Sequence, residues 1–131
     1  MDFCANTFSI VAHCKKTGQL GIAISTAIPG VGGICPFIHP KIGAVTTQSW
    51  VNPYLAFNIL DLLKSGETAN NAMKQVIASD DDREQRQLGI VDAFGKAVAW
   101  TGDECTPWAG QIVRSGVAIQ GNMLVGENTL I

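Results

Sequence analysis

Few side chains in this 131-residue chain are of types that do covalent chemistry, and their spacing narrows the options. Cysteines stand at positions 4, 14, 35 and 105, and histidines at 13 and 39. Cys35 and His39 are two ligand types for one metal ion, but two isolated ligands do not close a site, and His13-Cys14 falls in a turn. No metal is expected. A thiolate needs only proximity to a histidine for activation, so Cys35 or Cys105 with either histidine is a candidate nucleophile pair. Amides and one guanidinium supply the rest. Gln48 and Asn52 flank Trp50 and are candidates to orient a substrate carbonyl, with helix capping the competing role for Asn52. Arg86 suits bidentate binding of a substrate carboxylate, against a structural pair with Asp82 or Asp92. Asn122 follows Gly121 in an interrupted strand and can donate to an oxyanion, against a bulge with a self-bonded amide. Lys41 is the only formal charge between residues 17 and 60, either a buried ammonium or a loop lysine turned to water. Asp80-Asp81-Asp82 lacks metal-loop spacing and reads as surface.

Other devices are missing. No Gly-x-Ser-x-Gly elbow, phosphate loop or Cys-x-x-Cys pair occurs, and Gly30-Val31-Gly32-Gly33 runs into Cys35-Pro36 where a dinucleotide-binding helix would open, so no cofactor is expected. Hydrophobic residues make up 47% and charged residues 15%, which excludes a disordered chain or a charge-laced bundle. A net charge of −2 and a pI near 5.5 give phosphate nothing to bind, so nucleic acid is excluded as a partner. The low-charge stretch from 17 to 60 is broken by Pro29, Pro36, Pro40 and Pro53 and is rejected as a membrane span. Met1-Asp2-Phe3-Cys4 lacks the pattern of an export signal, so the cysteines read as reduced thiols and the expected location is cytoplasmic.

The elements that must position these groups follow from periodicity. Thr7–Ala12 and Leu20–Ser25 alternate around a turn containing Gly18, predicting a hairpin, and Gly43–Ser49 predicts a third strand. Asn52-Pro53 opens a helix with Leu55, Ile59, Leu62 and Leu63 on one face, stopped by Gly66. Ala69, Ala72, Met73, Val76 and Ile77 mark a second helix. Strands resume at Leu88–Asp92 and Lys96–Thr101, with a last one near Gly116–Met123. Three strands, two helices and three strands in one domain predict α+β architecture with antiparallel pairing. With only one pair of helices, the second face is left for another subunit or for a continuation of the chain.

Several blocks together resemble one family. They are Thr7-Phe8-Ser9-Ile10-Val11-Ala12, Gly21-Ile22-Ala23, Thr47-Gln48-Ser49-Trp50-Val51-Asn52-Pro53, Arg86-Gln87-Leu88-Gly89-Ile90-Val91-Asp92, Thr101-Gly102, Trp108-Ala109-Gly110 and Gln120-Gly121-Asn122-Met123-Leu124. The family is domain of unknown function 1028, whose fold is similar to that of N-terminal nucleophile (Ntn) hydrolases. The resemblance implies an αββα sandwich, of which residues 1–131 would be the N-terminal portion with the C-terminal helical layer absent. It also implies an amide-bond hydrolase whose first residue supplies a hydroxyl as nucleophile and a free α-amine as base. Thr7 matches that position. The residues themselves offer the supporting roles as hypotheses: Lys41 beside Thr7 to depress the amine pKa, Asn122 at the oxyanion, and Gln48, Asn52 and Arg86 on a small-molecule or peptide-like amide substrate. Six residues precede Thr7, so the scheme requires their removal. The alternative is an inactive oligomerising or small-molecule-binding module of the same fold, and a homo-oligomer is expected in either case.

Overall fold

The computed structural model describes residues 4–131; the expectation of no export signal at Met1–Phe3 lies outside them. Nine strands and two α-helices follow in the order β1 (Cys4–Ala5), β2 (Thr7–His13), β3 (Leu20–Thr26), β4 (Pro36–His39), β5 (Gly43–Trp50), α1 (Pro53–Lys64), α2 (Ala69–Ser79), β6 (Arg86–Asp92), β7 (Ala97–Thr101), β8 (Gly110–Arg114) and β9 (Val117–Gly121). They form two sheets, β1-β5-β6-β7 with β4 also on β5, and β3-β2-β9-β8, and every pairing is antiparallel. The α+β class is as the sequence predicts. Strands β1, β4 and β8 are additions to that reading, and the element order is corrected to five strands, two helices and four strands.

Local chemistry explains the helices. Asn52 accepts from the Tyr54 N–H through Oδ1 (3.1 Å) and Pro53 fills the first helical position, so α1 starts where two signals coincide. Thr68 caps α2 by accepting from the Asn71 N–H (3.2 Å). Both helices pack on the first sheet, where Leu55, Ile59, Leu60 and Leu63 of α1 and Met73, Val76 and Ile77 of α2 close over Val45, Leu88 and Ile90. Leu60 rather than Leu62 completes the buried face. Each large side chain so covered contributes roughly 1.5–3 kcal/mol.

The layer between the sheets is built in two halves. At one end Val11, Ala44, Val91 and Ala118 pack as an apolar plug. Towards the start of β2 the same inward positions carry Ser9, Thr46, Gln48, Gln87 and Gln120, all fully buried. Gln120 donates from Nε2 to Ser9 Oγ and Thr46 Oγ1, both at 2.7 Å. Room for its amide comes from Gly89: a Cβ there would lie 2.3 Å from Gln120 Oε1. Substituting Gly89→Ala therefore displaces a side chain already committed to two bonds. We expect a loss of about 2–3 kcal/mol, read as a fall of roughly 10 °C in thermal melting.

Candidate functional site

Thr7 and Asn122 meet at one end of the sandwich. Thr7 opens β2, directly after the chain crosses from the first sheet to the second at Asn6. Its carbonyl accepts from the Asn122 backbone N–H (3.0 Å) and from Gln48 Nε2 (3.4 Å). Asn122 is fully buried because the chain leaves β9 at Gly121 and folds back; a Cβ on Gly121 would sit 2.5 Å from Leu124 Cδ1 and 3.1 Å from Phe8 Cβ. A cleft of about 190 Å³ results, lined by Asn6, Thr7, Phe8, Ser25, Thr26, Ala27, Asn122, Met123 and Leu124. Thr7 itself is only 1% exposed, while Asn6 before it is exposed.

Behind the cleft lies a chain of carboxamides. Gln48 accepts from Ser9 Oγ (2.6 Å) and donates to Gln87 Oε1 (2.9 Å) and Gln120 O (3.2 Å). Gln87 Oε1 also accepts from Asn122 Nδ2 (3.1 Å), while its own Nε2 donates to Gly121 O (2.8 Å), Thr101 Oγ1 (3.0 Å) and Gly110 O (3.1 Å). Asn122 is thus held by its amide nitrogen, and its Oδ1, buried, has no hydrogen-bond donor. A buried acceptor left open costs stability unless something supplies a proton to it.

Three of the predicted site residues are elsewhere. Lys41 is exposed in the β4–β5 turn at φ 63°, at the far end of β5 from Gln48, more than five residues of strand at about 3.3 Å each. It is not an ammonium beside Thr7. Asn52 is occupied as the α1 cap. Arg86 faces the helix side of its strand, where it donates from Nε to Asp80 (2.8 Å), from Nη2 to Asp82 (3.1 Å) and from Nη1 to the Trp50 carbonyl (3.0 Å). Each of its three nitrogens donates to a latch between β6, β5 and the end of α2, so Asp80, read as surface from the sequence, is a largely covered partner. Sequence reasoning in turn missed Thr26, Ser9, Gln87 and Gln120. The available signal was polar side chains at the inward, period-two positions of otherwise apolar strands.

The cysteine alternative does not assemble. Cys35 is buried, which pushes its thiol up to about 11, and Cys105 is buried with Sγ donating to Arg86 O (3.3 Å). His39 is exposed, its Nδ1 at 3.1 Å from Pro40 O. Among the described residues no three His, Cys, Asp or Glu side chains gather for a metal, and no helix is long and apolar enough to cross a membrane. Exposed Cys14 has a lowered pKa, chiefly from its hydrogen bond with the Thr17 hydroxyl.

Two outcomes follow. Iodoacetamide at pH 8 should alkylate Cys14 in the native protein and leave Cys35, about one part in a thousand thiolate, until the chain is unfolded. Asp80→Asn, whose side chain is 10% exposed, should cost about 3 kcal/mol in denaturant titration. Asp82→Asn, at 61%, should cost less than about 1 kcal/mol.

Residues 7–131 match a family of unknown function, DUF1028. The fold superposes on the crystal structure of protein SPO2555 from Silicibacter pomeroyi, also of DUF1028, with a TM-score of 0.91 and 31% identity, covering 95% of this chain and 58% of that one. The chain therefore spans under two thirds of that relative's length. No functionally curated protein matches it.

Proposed function

This chain belongs to the DUF1028 family, and from its site we propose that it is an Ntn-type amide-bond hydrolase with Thr7 as nucleophile. One observation carries the reading: the family match begins at Thr7, and that residue lines a cleft shared with Asn122. Cutting the Asn6–Thr7 bond frees an α-amine whose pKa, near 7.7–8.0, suits it to take the hydroxyl proton directly or through water. The alkoxide then attacks the substrate carbonyl, the amine product leaves with that proton, and water hydrolyses the ester. Asn122 supports this scheme, since it lines the same cleft as Thr7 and its buried Oδ1 lacks a donor. Gln48 and Gln87 act through Asn122 and the Thr7 carbonyl rather than on substrate. The substrate is a small-molecule or peptide-like amide entering the Thr7 cleft.

The context of the reaction follows the same reasoning. We assign it to the cytoplasm, where exposed Cys14 persists as a thiol. Self-association is favoured by Tyr54, Phe57 and Phe94, which stand exposed. Thr7 as found, acylated by Asn6 and 1% exposed, favours the second reading, an inactive binding module of the same fold.

A chain beginning at Thr7 decides between the two. A β-lactone electrophile should add once, at Thr7, and Thr7→Ala should abolish the adduct and lower amide hydrolysis by at least about 10³-fold. The rate should rise about tenfold per pH unit below roughly 7.7, as the amine loses its proton, and level off above it. Absence of an adduct on the folded, trimmed chain would overturn the hydrolase.

A further inference from the structure

We propose that the groove at the end of the sandwich opposite Thr7 is a binding site for a small carboxylate with an apolar body, a function separate from the Thr7 reading. The chain carries a net charge of −2, but the fold separates the signs. Asp80, Asp81, Asp82, Glu84, Asp103 and Glu104 fall before β6 or after β7, at the Thr7 end. Lys15, Lys16, Lys41, Lys96 and Arg114 stand in or beside the turns that join β2 to β3, β4 to β5, β6 to β7 and β8 to β9, at the other end. Among the described residues none of these cations makes an ion pair. Charge of one sign gathered at one end draws anions to it.

Within that field the β2–β3 and β4–β5 turns enclose a groove of about 910 Å³, large enough for a drug-sized ligand. Leu20, Ile38 and Pro40 give it an apolar wall, and Lys41, His13 and Gln19 bring hydrogen-bond donors. No carboxylate of the described residues lines it. Gln19 Oε1 accepts from Thr17 Oγ1 (2.9 Å), which leaves the Gln19 amide N–H groups without an acceptor among the described residues. Two acids share a neighbouring hollow with Lys41, and both are engaged elsewhere. Asp92 Oδ1 accepts from the Phe94 and Lys96 N–H groups (both 2.9 Å), and Glu67 accepts from Asn71 Nδ2 (3.3 Å). Lys41 also sits at φ 63°, which glycine or asparagine adopts at less cost, so turn geometry does not account for a lysine there. Donors beside hydrocarbon, with no anion to repel the ligand, fit a head that only accepts hydrogen bonds on a body that sheds water. A lone ammonium in the lining matches one negative charge, that of a carboxylate. Exposed Cys14 stands in the same lining and reports whether the groove is filled.

Alkylation of Cys14 by iodoacetamide, located by peptide mapping, tests the site on the chain as it stands. Saturating decanoate should slow that reaction at least about tenfold by covering the thiol. Decanol and acetate, each carrying half of the ligand's chemistry, should not. Calorimetry should show Lys41→Gln weakening decanoate binding about tenfold, with Lys41→Arg within about threefold of wild type. Melting curves establish that each variant folds. Lys74→Gln, on α2 and outside the groove, should bind as wild type does. Added salt should weaken the wild-type complex more than that of Lys41→Gln. Protection by decanol equal to that by decanoate would overturn the site, as would undiminished affinity in folded Lys41→Gln. Decanoate that fails to bind, or that binds and leaves Cys14 as reactive as before, would overturn it too. The β-lactone adduct at Thr7 and the Cys14 reaction are read at opposite ends of the molecule, so either reading can fail alone.

Discussion

Polar side chains sealed between two sheets must satisfy one another, and the Gln48–Gln87 contact is where that requirement is met. The two residues are directly paired across β5 and β6, the inner strands of their sheet, and both are fully buried. Their amides tie the first sheet to the second through the carbonyls of Thr7, Gln120 and Gly121. Directional bonds thereby set the relative position of the sheets, which apolar packing alone leaves free to slide. The apolar plug around Val11 and Val91 drives the two sheets together, and the carboxamides choose one arrangement. Asn122 inherits its place from this choice, because its nitrogen is bound to the same Gln87 oxygen.

The Thr7 end differs because there the chain passes between layers. Strand β1 is paired with β5, whereas β2 lies in the other sheet, and a single residue, Asn6, spans the change. The backbone carbonyl at such a crossing has no ladder partner by default. The Thr26 hydroxyl fills that vacancy from the neighbouring strand, with Ile28 anchoring its far side. A requirement of folding, to satisfy one crossing carbonyl, is met here by a side-chain hydroxyl from the neighbouring strand.

Much of the fold was legible in the chain because local signals agreed. The β2–β3 hairpin declared itself by alternation around Gly18, and α1 by Asn52-Pro53 preceding an apolar stripe. Strands β1 and β4 were not, being two and four residues long and defined only by the long-range edge of β5 they occupy. β8 was hidden because Gly110-Gln111-Ile112-Val113-Arg114 shows no clear alternation of polar and apolar residues. The site was half legible. Thr7 came from the family resemblance and Asn122 from the glycine that interrupts its strand, and both line one cleft. Lys41 and Arg86 looked suited to chemistry by charge, yet charge along a sequence reveals neither that Lys41 lies in the β4–β5 turn nor which face of β6 Arg86 takes. Arg86 and Gln87 are adjacent and point to opposite layers, one to a carboxylate latch and the other to the amide network.

The half-polar interlayer also shapes how this protein responds to temperature. Unfolding exposes buried amides along with hydrocarbon, and the hydration of polar surface offsets part of the heat-capacity rise that apolar surface brings. The free-energy curve of such a chain is flatter than that of a sandwich of equal size filled with valine and leucine. Its resistance to cold rests more on enthalpy, and its two ends come apart by different physics: the Val11 end by wetting of hydrocarbon, the Thr7 end by exchange of one set of hydrogen bonds for another with water.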